Sequence, residues 1–180
     1  MRFQSALLTL VVVVSTAVAS SPLPKRDDGA VLEGLNAMQK ATDDLRTASF
    51  AFPSKNGTLS EANDILTKLD ALRTAIIKEN ADANASPPFT ESLSAEVVAV
   101  MKNIAQPFVA ALRNLDSKKP TFLQFAQADL VSLLGGSFTA ILEVTDSGGW
   151  MKISSDQQGN YNATLNAMIE ELHTSITVFS

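Results

Sequence analysis

Cysteine is absent from the 180-residue chain, and with it go disulfides, thiolate metal sites and a thiol nucleophile. Such a domain must hold together by packing alone. Histidine occurs once, at His173. Glu170-Glu171-Leu172-His173 has the Glu-x-x-His spacing of carboxylate-bridged metal bundles, but those sites use the pair twice, on separate helices. His173 therefore reads as a solvent-facing residue near a helix C-terminus, and no metal is expected. No Gly-x-Ser-x-Gly elbow accompanies it, and Ser132-Leu133-Leu134-Gly135-Gly136-Ser137 lacks the lysine of a phosphate loop. The carboxylate pairs Asp43-Asp44 and Glu170-Glu171 point about 100° apart on a helix and cannot face each other. No catalytic residue, no cofactor and no enzymatic activity are expected.

Positive charge is also scarce. The net charge is −5, and the sequence shows no run of Lys and Arg. Nucleic acid and anionic membrane surfaces are thus expected to be repelled. Long apolar runs are missing after the first residues. The one present, residues 6–14, is broken only by Thr9, follows the positive Arg2, and ends at the small-x-small triplet Ala17-Val18-Ala19. It is too short to span a bilayer stably, so residues 1–19 read as a secretory signal. Residues 20–26 then carry Pro22, Pro24 and the dibasic pair Lys25-Arg26, which reads as a propeptide ending in a processing site. Cleavage there would leave a domain of residues 27–180 with 11 cations against 19 acids, a net charge of −8. No further spanning segment is expected in it, and TSITVFS lacks the tail of a lipid-anchor signal. Secretion, with at most a loose hold on a cell wall, follows. The sequons at Asn56 and Asn162 fit that route, Asn56 in the turn-like PSKNG.

What the chain does have is helical periodicity. Val31, Leu35, Met38, Thr42 and Leu45 recur at threes and fours and predict a first helix over residues 29–49, stopped before Pro53. Thr58-Leu59-Ser60-Glu61 has capping-box spacing and opens a second helix to about residue 83. Thr90 caps a third, bent at Pro107. A fourth follows Lys118-Lys119-Pro120 and runs unbroken to about residue 145. A fifth covers residues 155–178. An all-α, single-domain bundle of about five helices is expected.

The fourth segment is apolar around most of its axis, and Gly135-Gly136 in its middle costs about 1 kcal/mol per glycine relative to alanine. Either a neighbouring helix approaches closely there, or the missing side chains leave room for an apolar ligand. Residues facing such a ligand are expected to be Val97, Val100, Met101, Ile104, Phe108, Phe122, Phe125, Leu130, Leu134, Phe138, Ile141, Leu165, Met168 and Leu172. Trp150, the only tryptophan, and Phe50, Phe52 and Phe89 lie at interhelix turns: either they form an exposed apolar rim that binds a surface, or Trp150 folds back to cap the end of the bundle.

A signal peptide, a Lys-Arg boundary, and then about 150 cysteine-free helical residues resemble the fungal hydrophobic surface-binding protein family, which is related to cell-wall galactomannoproteins. The stretch from Asp44-Leu45 to Phe52 and the apolar fourth helix with its glycines carry the resemblance. It implies a secreted, non-catalytic protein that binds hydrophobic solid surfaces or long-chain fatty acids through a helical bundle. The alternative it leaves is a wall-associated structural protein that recruits a secreted hydrolase and has no internal lipid pocket.

Overall fold

The computed structural model describes residues 28–146 and 152–180. Its helices are α1 (Asp28–Ala51), α2 (Leu59–Ala85), α3 (Glu91–Ser117), the single turn α4 (Lys119–Phe122), α5 (Leu130–Asp146) and α6 (Gln158–Phe179), with a 3₁₀ segment, Leu123–Ala128, between α4 and α5. Among the described residues all regular structure is helical, and the expected signal, propeptide and Trp150 lie outside them.

Local chemistry sets the first three helices. Asp28 places a carboxylate in the first turn of α1, where the helix dipole favours it. At the start of α2 the Thr58 hydroxyl accepts from the Glu61 amide at 3.2 Å, while the Glu61 carboxylate accepts from the Thr58 amide at 2.8 Å. These bonds satisfy free backbone donors and hold the Glu61 carboxyl below its ordinary range. Thr90 caps α3 through Leu93 N–H, and α3 runs through Pro107 without interruption.

The fourth helix differs from expectation. It is cut by the 3₁₀ segment and by Asp129, whose φ of 47° is left-handed. Aspartate tolerates that geometry better than most residues. The Asp129 carbonyl then accepts from Leu133 N–H at 3.1 Å, and α5 starts afresh. The break lets α4 cross the end of the bundle and insert Phe122 between two other rings. Phe52 stacks on Phe122 at 4.5 Å, and Phe122 meets Phe179 edge-on at 5.9 Å.

The long helices form a closed ring. α1 packs on α2 and α3, α3 on α6, α6 on α5, and α5 on α2. With interaxial spacings of about 9 Å, the centre of a five-membered ring lies about 8 Å from each axis. Large apolar side chains from every member must fill that centre. Leu35, Leu45, Ile65, Leu69, Leu72, Ile104, Phe108, Leu112, Phe138 and Leu172 are all buried to within a few per cent. α3 is the one described helix long and apolar enough to cross a membrane. Its apolar stripe packs on α1 and α6, so the core accounts for it.

Candidate functional site

The residues expected to face a ligand converge. Val97, Met101, Ile104, Phe108, Phe122, Leu130, Leu134, Phe138, Ile141, Leu165, Met168 and Leu172 are buried in one continuous core, and Val100 and Phe125 pack half-buried against it. They belong to α3, α4, α5 and α6 and the 3₁₀ segment, and the closed ring makes them neighbours of the α1 and α2 side chains. Here they fill the space between the helices themselves.

The glycine pair serves both roles that its position suggested. A Cβ on Gly135 would lie 3.1 Å from the Phe179 carbonyl oxygen, so α6 approaches closely there. A Cβ on Gly136 would meet nothing within 4 Å. Gly136 opens onto a furrow of 310 Å³ between α2 and α5, lined by Leu69, Asp70, Arg73, Ser132, Leu133, Ser137 and Ala140. Leu133 is half exposed at its edge. A second furrow, of 390 Å³, runs between α3 and α6 along Ala105, Val109, Ala110 and Ala167 to Arg113.

The expected rim is not assembled as drawn. Phe50 is 56% exposed, with the Arg46 guanidinium 5.3 Å over its ring. Phe52 and Phe89 are buried. Phe52 turns back after α1 to stack on Phe122, and the Phe89 amide donates to the Lys152 carbonyl at 2.8 Å, which draws that turn against the bundle. Asn56 is exposed in the α1–α2 loop with φ 58°, and Asn162 is exposed on α6.

Polar groups tie the helices together at the margins of the core. Arg113 Nε donates to Glu171 at 2.9 Å, and Ser175 Oγ to Asp116 at 3.0 Å, both joining α3 to α6. Burial raises the Asp116 carboxyl to about 6 despite that hydroxyl. The buried Lys118 ammonium donates to the carbonyls of Ser49 and Phe52, and burial lowers its pKa. Glu79, buried where α1 and α2 meet, is pushed up to about 7 by burial and then by the Asp82 charge. Tyr161 is raised by its own burial and then by Glu79. His173 is exposed, and among the described residues no three His, Asp or Glu side chains converge on a metal position.

Comparison with known proteins relates this apolar helical ring to a family. The sequence profile of hydrophobic surface binding protein A matches residues 29–141. The chain belongs to that family. Its matched part includes α1 to α4 and most of α5, while α6, which closes the ring, lies beyond it. No curated protein matches the chain by sequence. In fold, this family member resembles AFMP4P, solved in complex with palmitic acid, with a TM-score of 0.76 at 20% identity over 86% of this chain and 100% of that one. It also resembles ligand binding domain 2 of the Penicillium marneffei MP1 protein, solved with arachidonic acids, with a TM-score of 0.76 at 14% identity over 87% and 96% of the two chains. Ligand binding domain 1 of the same protein, complexed with arachidonic acids, gives a TM-score of 0.72 at 15% identity over 85% and 99%.

Proposed function

We propose that this protein is a secreted, non-catalytic binder of long acyl chains, taken up along α5 through the furrow between α2 and α5. The observation that carries the reading is Gly136, a glycine without local helical benefit whose missing side chain opens an apolar helix to the outside. The fatty acids bound by proteins of the same fold support it. A furrow of 310 Å³ sits at the bottom of the roughly 300–1,000 Å³ range of ligand sites. A long chain therefore needs the helices to part and its methylenes to replace core contacts. At about 0.8 kcal/mol per buried CH₂, a palmitate-length tail supplies about 10 kcal/mol before the cost of ordering it and opening the ring. Such burial suits an apolar tail and requires no chemistry from His173 or the scattered carboxylates.

Palmitate titrated into delipidated protein, followed by native mass spectrometry and thermal unfolding, tests this. Binding is expected as a mass adduct, and at about 100 times Kd it should add about 2.7 kcal/mol of stability. Gly136→Leu fills the furrow and should reduce uptake while the protein stays folded. Neither adduct nor thermal shift in the unsubstituted protein would refute the reading.

A further inference from the structure

Two core positions of the ring are held by polar side chains that have nothing to bond. The buried stripe of α2 runs through Leu69, Leu72, Ile76, Glu79 and Ala83, so Glu79 stands where helical spacing calls for an apolar residue. The buried stripe of α6 begins at Tyr161 and continues through Leu165 and Met168. Glu79 is 9% exposed and Tyr161 8%. Among the described residues neither the carboxyl nor the phenol hydroxyl has a hydrogen-bond partner. α2 and α6 are not neighbours in the ring, yet the Glu79 charge acts on Tyr161, so the two side chains face one interior space. That space lies at the bundle end where Asn80 Nδ2 donates to the Val144 carbonyl at 2.6 Å and the Ser154 amide donates to Ser94 Oγ at 2.9 Å.

Buried polar groups without partners are costly, and apolar residues would serve packing better at both positions. Burial, with the Asp82 charge, keeps the Glu79 proton in place up to about 7. Glu79 and Tyr161 thus offer two O–H donors to one space, and Glu79 adds an acceptor. The cations of this end are taken. Lys78 is bonded to Asp82 at 2.7 Å and Lys152 to the Ser86 carbonyl at 2.8 Å. Arg73, about 9 Å before Glu79 along α2, is exposed on the furrow rather than in the interior. A head group beside Glu79 is therefore held by hydrogen bonds and not by an ion pair. A carboxyl group accepts from both hydroxyls and shares a proton with Glu79, whereas a phosphate brings charge that nothing there neutralises. Toward the other end the polar groups are spent on the protein itself. Lys118 is bonded to the Ser49 and Phe52 carbonyls, Arg113 to Glu171, and Ser175 to Asp116. Asp116 keeps one oxygen unbonded, but it lies beside the Glu171 charge with no donor left to offer a carboxyl group.

We propose that Glu79 and Tyr161 form the head-group site of the acyl binder, where a free fatty acid lies with its carboxyl group hydrogen-bonded between them and its tail directed toward Phe122, Phe138 and Phe179. The rings at that end pack on one another at 5.5 and 5.9 Å and offer the tail apolar surface alone. The inference rests on the acyl-binding reading and adds to it the direction of the chain and the class of head group: free fatty acids are taken, and acyl chains carrying a phosphate are refused.

Nuclear magnetic resonance of delipidated protein loaded with palmitate tests the proposal, at a pH of about 6 where Glu79 still holds its proton. Tyr161 is the only tyrosine, so ring-labelled tyrosine reports on this site alone. Nuclear Overhauser contacts are expected from its ring to the C2 methylene of palmitate and not to the terminal methyl. Contacts to the terminal methyl, or to neither group with palmitate bound, overturn the proposal and leave acyl binding standing. Protein that retains no palmitate removes both readings. Lysophosphatidic acid with the same acyl chain is expected to bind far more weakly, and binding as tight as palmitate overturns the head-group assignment. Tyr161→Phe and Glu79→Leu should each weaken palmitate roughly fivefold without lowering thermal stability, since each removes an unbonded polar group from the core. Undiminished affinity in both variants refutes the site. The tyrosine contacts are read on the unsubstituted protein, so the result does not depend on any variant folding.

Discussion

Adjacent glycines in one helix should respond oppositely to the same added methyl group. Alanine in place of a mid-helix glycine stabilises by about 1 kcal/mol, because the unfolded chain loses conformational freedom. At Gly136 nothing stands within 4 Å of the new Cβ, so the full gain is expected. For a chain of this size that corresponds to a rise in Tm of about 2–4 °C. At Gly135 the new Cβ would sit 3.1 Å from the Phe179 carbonyl oxygen and 3.7 Å from its Cβ. Phe179 is poorly placed to give way. Its ring meets Phe122 at 5.9 Å and Phe138 at 5.5 Å, and Lys119 holds the preceding carbonyl. Overpacking of this kind costs about 1–3 kcal/mol, enough to cancel or reverse the gain. Urea and thermal unfolding followed by circular dichroism should therefore show Gly136→Ala more stable than the parent and Gly135→Ala no better or worse. Equal stabilisation by both would refute the close approach of α6 and the asymmetry of the pair.

Three further outcomes follow from buried and capping groups. Glu79 has its pKa raised from 4.5 to about 7, so the folded state holds a proton that the unfolded state releases. Stability should then fall as pH rises from about 4.5 to about 7, by about 3 kcal/mol, and Glu79→Gln should remove most of the fall between pH 6 and 7. Asp116, raised from 3.8 to about 6, keeps most of its part of the slope below that window, which melting curves across pH can resolve. Lys118→Met keeps the aliphatic stem but leaves the Phe52 carbonyl without its ammonium, and chemical denaturation should show a loss of about 2 kcal/mol. Thr58→Ala removes the capping box of α2 for about 1 kcal/mol, whereas Thr58→Ser should retain it in the same assay.

Much of the bundle was legible because its signals are local. Pro53, the Thr58–Glu61 box and Thr90 mark ends that depend on a few neighbouring residues, and the structure places α1, α2 and α3 within two residues of them. The fourth helix was overextended for a local reason as well. Asp129 is the one charge between Phe122 and Leu142, and it starts α5 rather than sitting inside it. A lone aspartate before an apolar helical run is a start signal in its own right. Phe52 and Phe89 were misplaced because turn residues normally face water, and only the crossing of α4 and the Lys152 segment buries them. That crossing depends on partners far along the chain, which periodicity does not report. The converging core was predictable from apolar spacing, but the ring order was not, since every long helix carries an equally good stripe.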